Sequence, residues 1–108
     1  MFVMDDNPEF EKETTGNLPG DQGEPFSFRA RFVALGAAEQ KAFDLTNEEG
    51  TADFLRRTLI GWDDIVDAET GLVPFGEAAR EWLIDKAYTR GALVKAYFSG
   101  IYQSALGN

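Results

Sequence analysis

Four acidic residues in the middle of the chain form its densest group of possible cation ligands. They are Asp63, Asp64, Asp67 and Glu69. A calcium-binding helix-loop-helix needs oxygen ligands at the first, third and fifth loop positions and a glycine at the sixth. A loop that starts at Asp63 puts Ile65 third, and one that starts at Asp67 puts Gly71 fifth. The motif fails in both registers, so we predict an acidic turn that binds no metal.

The residue types that most enzymes use are missing. The chain has no His and no Cys, which removes the usual proton shuttle, the commonest metal ligand and any thiolate site. Paired carboxylates alone can hydrolyse glycosides, but such enzymes need a cleft that a hairpin and short helices hardly provide. The sequence has no Gly-rich phosphate loop, nucleophile elbow or Ser/Lys pair. We therefore predict a noncatalytic protein without a cofactor.

The composition is that of a folded, acidic, single-domain protein. Its 108 residues include 19 acidic and 10 basic ones, for a net charge of −9, and 44% are hydrophobic. This length corresponds to one domain, which we predict over residues 1–108. Only residues 25–38 (net charge +2) and residues 70–108 (net charge +1) have a basic balance. Neither segment has enough Lys and Arg to neutralise phosphates, so we predict no binding to nucleic acid.

No segment has the pattern of a targeting signal or a membrane span. Asp5 and Asp6 follow the apolar Met1–Met4 at once, whereas a signal peptide needs a basic start and a longer apolar stretch. The longest mainly apolar run, residues 32–38, is far shorter than the roughly 20 apolar residues that cross a bilayer. We expect a soluble cytoplasmic protein that does not bind membranes.

The negative charge is unevenly spread. Residues 1–24 hold seven acids and one base, residues 39–69 hold nine acids and three bases, and residues 70–108 are nearly balanced. Acidic blocks usually form a solvated surface. The other two interpretations are a basic protein partner and mimicry of nucleic acid.

The N-terminal segment, 1–35, is predicted to form a β-hairpin after a flexible start. Residues 26–32 alternate strictly, with Phe26, Phe28, Ala30 and Phe32 on one side. Residues 10–15 alternate weakly, and the Gly-rich 16–23 between them is typical of a turn. One expectation for residues 1–24 is that they become ordered only when they bind a partner.

Two helices are predicted at the start of the second segment, 36–108. Helix formers dominate residues 37–43, and this helix should end near Leu45. Thr46 and Glu49 fit a capping box at the start of a second helix that runs to about Ile60. Four residues would share its apolar face: Ala52, Leu55, Leu59 and Trp62.

Two further helices are expected after an irregular connection over 63–74. The third helix should cover about 76–85 and bury Ala79, Trp82 and Leu83. The last should cover about 88–104. Because a lone hairpin is marginal in water, we predict an α+β fold in which an N-terminal antiparallel hairpin packs on three to four helices.

The last helix has a wider apolar surface than a small domain usually buries. One stripe contains Leu93, Ala96, Tyr97, Gly100 and Ile101, and a second contains Val94, Phe98, Ile101 and Tyr102. We consider two interpretations: both stripes fill the core, or part of them binds another chain. Trp62 beside the acidic turn is likewise either a core residue or a partner anchor. The candidate partner-binding residues are Trp62, Tyr97, Phe98, Ile101 and Tyr102.

The order of several short motifs resembles the small tail assembly chaperones of long-tailed bacteriophages and prophages. These motifs are Asn7-Pro8-Glu9-Phe10, the Gly/Pro turn and Phe/Arg strand, Leu59-Ile60-Gly61-Trp62-Asp63, Val73-Pro74-Phe75, the 77–83 helix, Tyr88, and a terminal helix with Tyr97 and Tyr102 that ends in Ala105-Leu106-Gly107-Asn108. The resemblance covers nearly the whole chain. Related sequences often have a Pro before the terminal helix, whereas Lys86-Ala87-Tyr88 has none, so the last two helices are expected to be more continuous here.

The resemblance implies a function and a partner. Such chaperones are not enzymes and are generally absent from the virion. They bind the aggregation-prone tape-measure protein in the bacterial host cytoplasm while tail-tube subunits assemble around it. Spare apolar surface on an acidic protein suits a client of this kind. A contact with the tail-tube protein and a homo-oligomer are also compatible with this surface.

Two other functions fit the same sequence. A virion structural protein, such as a tail-completion or head-tail joining subunit, would use the apolar surface to form a ring. An acidic DNA mimic would inhibit a DNA-binding host protein and would space its carboxylates like phosphates over one broad face.

Overall fold

The computed structural model describes the backbone of residues 1–105 and the side chains of residues 1–102. Two nine-residue strands form the predicted hairpin: β1 (Glu9–Asn17) and β2 (Pro25–Val33). They pair antiparallel along their full length, and Leu18 N–H donates to Glu24 O across the turn (2.9 Å). The hairpin prediction is confirmed. Apolar and polar residues alternate along β2, so that every second side chain faces the core.

A third strand, β3 (Leu59–Asp63), extends the sheet beside β2 in the order β1-β2-β3. It follows helix α2 (Glu48–Thr58) with no intervening loop, because Leu59 already has an extended backbone. The prediction that the helix continues to Ile60, with Leu59 and Trp62 on a helical face, is therefore wrong. Pairing with β2 ends the helix, and a bulge between Arg31 and Phe32 accommodates the junction.

The start of the helical segment also differs from the prediction in detail. Helix α1 (Ala37–Gln40) is shorter than expected, because Phe43 N–H bonds to Gln40 O in a tight turn. The cap of α2 is Asn47, whose side-chain oxygen accepts from Gly50 N–H (2.7 Å). Thr46 instead donates to Asp44, so the Thr46/Glu49 capping box is wrong.

The connection over 63–74 contains a minimal hairpin, formed by β4 (Val66–Asp67) and β5 (Gly71–Leu72). Helices α3 (Glu77–Asp85) and α4 (Ala87–Ala105) follow close to their predicted bounds. Only Lys86, which has an extended backbone, separates them. The near-continuity expected from the absence of a Pro is thus present, with one break. The Leu106-Gly107-Asn108 part of the terminal motif lies outside the described residues.

The core lies between the inner face of the sheet and helices α2 and α4. Its largest fully buried side chains come from all of these elements: Phe32, Phe54, Leu55, Leu59, Leu93 and Tyr97. Helix α4 packs along β1 so closely that the ring of Phe10 lies against Gly100. The fold is therefore α+β, with a three-stranded antiparallel sheet packed against helices, as predicted.

Candidate functional site

Trp62, one of the candidate partner-binding residues, lies in the core. Its side chain is on β3 and only 9% exposed. The indole N–H donates to Val73 O (2.8 Å), and the ring of Phe75 contacts the indole edge to face, with centroids 4.8 Å apart. Trp62 thus holds the 64–74 connection against the sheet, and little of its side chain is exposed to a partner.

Tyr97 is likewise internal, at 1% exposed. Its ring packs edge to face on Phe54 and Phe32, at 4.9 and 5.6 Å between centroids. The phenol oxygen accepts a hydrogen bond from the backbone N–H of Leu35 (2.9 Å). This bond fastens α4 to the residues that follow β2, so the structure places Tyr97 in the scaffold of the site and not on its surface.

The other three candidates lie at the C-terminal end of α4, where the apolar stripe emerges from the core. Phe54, Phe98 and Tyr102 stack nearly parallel, with successive centroids 5.7 and 6.1 Å apart. Phe54 is fully buried and Phe98 half-buried, while Tyr102 is 59% exposed. Ile101 is half-buried beside them. This ring stack leads from the core to a surface aromatic held in place from below.

A groove opens next to the end of the ring stack. It has a volume of about 560 Å³ and lies between the segment after β2 and α4. Its apolar wall consists of Leu35, Phe43, Leu45 and Tyr102. We call it the Tyr102 groove. Its dimensions suit a few apolar side chains of another polypeptide, whereas a small substrate would lie largely in solvent.

The Tyr102 groove has no strong charge of its own. Its two charged residues are Lys41 and Asp44, which have opposite signs. The carboxylate of Asp44 already accepts two hydrogen bonds, from the hydroxyl (2.5 Å) and the backbone N–H (2.9 Å) of Thr46. These bonds lower the pKa of Asp44. An apolar partner surface can therefore approach without leaving a buried carboxylate unpaired.

The structure also reveals an exposed aromatic that the sequence pattern misassigned. Trp82 is 53% exposed, whereas Leu83 and Ile84 are the buried residues of α3. The prediction that Trp82 lies in the core is wrong. Leu83-Ile84 was the signal for the correct face, since two adjacent aliphatic residues can reach the core only if their neighbour Trp82 turns outward.

The acidic residues of the central connection form a capped turn. Asp67 accepts from the backbone N–H groups of Glu69 (2.8 Å) and Thr70 (3.2 Å), which lower its pKa. Within the described residues, no three acidic side chains are grouped closely enough to hold a metal ion. Asp67 thus has a structural task as a turn cap.

Arginines compensate part of the acidic charge on the outer face of the sheet. Glu11 on β1 accepts from Arg29 (3.1 Å) and Arg31 (2.9 Å) on β2. The Arg31 hydrogen bond, followed by that of Arg29, lowers the pKa of Glu11. The alternating charged rows seen in the sequence are therefore cross-strand partners.

The architecture defines this chain as an α+β domain with an apolar groove at the end of its last helix. Comparison with protein-family models found no match, and searches of curated proteins and of solved structures found none either. Over residues 1–105, none of the helices has the length and apolar character needed to cross a membrane.

Proposed function

We propose that this protein is a noncatalytic tail assembly chaperone, which binds the tape-measure protein of a bacteriophage and keeps it soluble in the host cytoplasm. The observation that carries the proposal is the Tyr102 groove. It presents an apolar wall and an exposed, stacked aromatic at the end of a helix. In one common mode of recognition, the apolar face of a helix lies in a hydrophobic groove. A long helical client with an apolar face could bind the Tyr102 groove in this way.

The charge distribution supports the same function. The neutral groove contrasts with a chain whose net charge is −9. A strongly charged surface keeps a complex soluble by mutual repulsion. An acidic carrier with a neutral holding surface is thus suited to keep an aggregation-prone client in solution.

Coexpression with the tape-measure protein of the same phage tests the proposal. The client should copurify with this protein and remain in the soluble fraction. Tyr102→Ala should weaken binding roughly tenfold, because exposed aromatics that fill a groove are typical hot spots. Leu18→Ala is the matched control, since Leu18 is an exposed apolar residue of the hairpin turn.

Two results would contradict the proposal. One is a client that stays insoluble and does not copurify. The other is persistence of this protein in purified virions, detected by mass spectrometry, because a ring-forming structural subunit remains in the particle. Adding the tail-tube protein to the coexpression also determines whether it joins the complex or displaces the chaperone.

A further inference from the structure

A second apolar surface lies away from the Tyr102 groove, where the β4–β5 hairpin meets α3. Three large side chains on these elements are more than half exposed: Val66, Leu72 and Trp82. Val66 and Leu72 are cross-strand partners in the small hairpin, so their side chains lie on the same face. Single exposed apolar residues are ordinary, but Val66 and Trp82 line one groove and Leu72 pairs with Val66, and such a group indicates an interaction surface.

The groove at this surface has a volume of about 350 Å³. Val66, Ala78 and Trp82 line its sides, while Trp62 and Leu83 connect it to the core. We call it the Trp82 groove. It shares no lining residue with the Tyr102 groove. Its lining is built on the rigidly packed Trp62 and Leu83, so it is formed before any partner arrives.

The chain segment that carries the Trp82 groove is strongly acidic. Residues 63–85 contain seven acids and one base. Glu81 is paired with Arg56, and Asp85 with Lys86. In the part of the chain that the structure describes, the other five acids are exposed and make no salt bridge: Asp63, Asp64, Asp67, Glu69 and Glu77.

The ring of Trp82 already accepts one cation. Lys86 Nζ lies 5.0 Å from its centroid, and Asp85 pairs with this ammonium at 3.0 Å. Aromatic rings attract cations electrostatically, and Trp does so most strongly. The groove therefore combines an apolar lining, a cation-binding ring and the carboxylate of Asp67, while Glu77 directly precedes the lining residue Ala78 in the sequence.

We propose that the Trp82 groove docks a cationic amphipathic segment of a partner protein. An apolar side chain of the segment enters between Val66 and Trp82, and its Lys or Arg residues lie beside Asp67 and Glu77. A second copy of this chain does not fit, because two such acidic surfaces would face one another and like charges oppose association. The proposal is independent of the tail assembly function, since it rests on a different surface.

Titration of the isotope-labelled protein with a synthetic helical peptide tests the proposal. The peptide has leucines on one face and lysines on the other, and its control carries glutamates in place of the lysines. The lysine peptide should shift the NMR signals of Val66, Ala78 and the Trp82 indole, and its binding should weaken with added salt. The glutamate peptide should not bind.

Two exposed aromatics provide matched variants. Trp82→Ala should weaken binding of the lysine peptide roughly tenfold, while Tyr102→Ala should leave it unchanged, although Tyr102 is equally accessible. Asp67→Asn combined with Glu77→Gln should weaken binding and reduce its salt dependence. The new amide at the first of these positions keeps an oxygen that can cap the turn. Circular dichroism checks that each variant is folded.

Three results would overturn the proposal. The first is that the largest shifts surround Tyr102 instead of Trp82. The second is that the glutamate peptide binds as tightly as the lysine peptide. The third is that the protein self-associates in analytical ultracentrifugation and Trp82→Ala abolishes this, because the occupant would then be a second copy of the chain.

Discussion

The ring of Phe10 on β1 lies directly against the backbone of Gly100 on α4. A Cβ atom at Gly100 would come within 2.5 Å of Phe10 Cε2, closer than any van der Waals contact permits. Phe10 in turn packs on Phe32 and Tyr97, with centroids 5.5 and 5.6 Å away. The glycine thus sets how closely the last helix approaches the first strand, and this approach positions the residues of the Tyr102 groove.

Substitution of this glycine should be costly. Gly100→Ala should destabilise the protein by about 1–3 kcal/mol, because Phe10 must move away from a packed position. Gly91→Ala in the same helix is the control, since a Cβ there meets nothing within 4 Å, and it should stabilise by about 0.5–1 kcal/mol. Urea unfolding measures both. A Gly100→Ala variant as stable as Gly91→Ala would contradict the close approach.

The hydroxyl of Tyr97 should contribute to stability, unlike that of Tyr102. Tyr97→Phe leaves the Leu35 N–H without its acceptor and should cost about 1–2 kcal/mol. Tyr102→Phe removes an exposed hydroxyl and should stay within about 0.5 kcal/mol of the parent protein. Thermal unfolding of the two variants compares them. Equal losses would show that Tyr97 does not make the hydrogen bond.

The two tryptophans should differ in fluorescence. Trp62 is 9% exposed and Trp82 is 53% exposed, so each single Trp→Phe variant isolates one environment. The Trp82→Phe variant, which keeps Trp62, should emit at shorter wavelength and resist quenching by acrylamide. The Trp62→Phe variant should show the opposite behaviour, provided that circular dichroism confirms its fold. Equal quenching in two folded variants would disprove the opposite placement of these side chains.

Acid should weaken the link between α2 and α3. Arg56 Nη2 donates to Glu81 Oε1 (2.7 Å), and hydrogen bonds from Arg56 lower the pKa of Glu81. A carboxyl group with a lowered folded-state pKa stabilises the fold above its ordinary pKa of 4.5. This stabilisation is lost as the pH falls through the folded-state pKa. Because the pair is partly exposed, Glu81→Gln should cost only about 0.5–1 kcal/mol at neutral pH.

The pH dependence of this variant provides the check. Urea unfolding at neutral pH and at about pH 3 should show a smaller loss on acidification for Glu81→Gln than for the parent protein, since one titrating link is gone. Glu24→Gln in the hairpin turn is a control that makes no ion pair among the described residues. Parallel curves for Glu81→Gln and the parent would show that the Arg56 pair does not stabilise the fold.

Elements with a local signal could be predicted from the sequence. The alternation over 26–32 identified β2, and α3 and α4 lie close to their expected bounds. Strand β3 was missed because no Gly or Pro stands at its junction with α2, and only pairing with β2 makes these residues extended. Tertiary contacts here override a pattern that is also compatible with helix.

The site could be predicted only in part. Both apolar stripes of α4 were predicted as candidate binding surface, but Tyr97 in the first stripe and Tyr102 in the second have opposite exposures in the structure. The difference depends on where the helix leaves the sheet, which is a long-range property. The orientation of Trp82, by contrast, had a local signal in the adjacent Leu83 and Ile84, which are the buried residues of α3.

The stack of Phe54, Phe98 and Tyr102 has an entropic consequence for recognition. A surface tyrosine normally samples several rotamers, and fixing a side chain on binding costs about 0.5–1.5 kcal/mol. Because the Tyr102 ring already rests on Phe98, which rests on the buried Phe54, folding has restricted its rotamers in advance. A partner that binds in the Tyr102 groove would therefore meet a preorganised aromatic, and more of the contact energy would remain available as affinity.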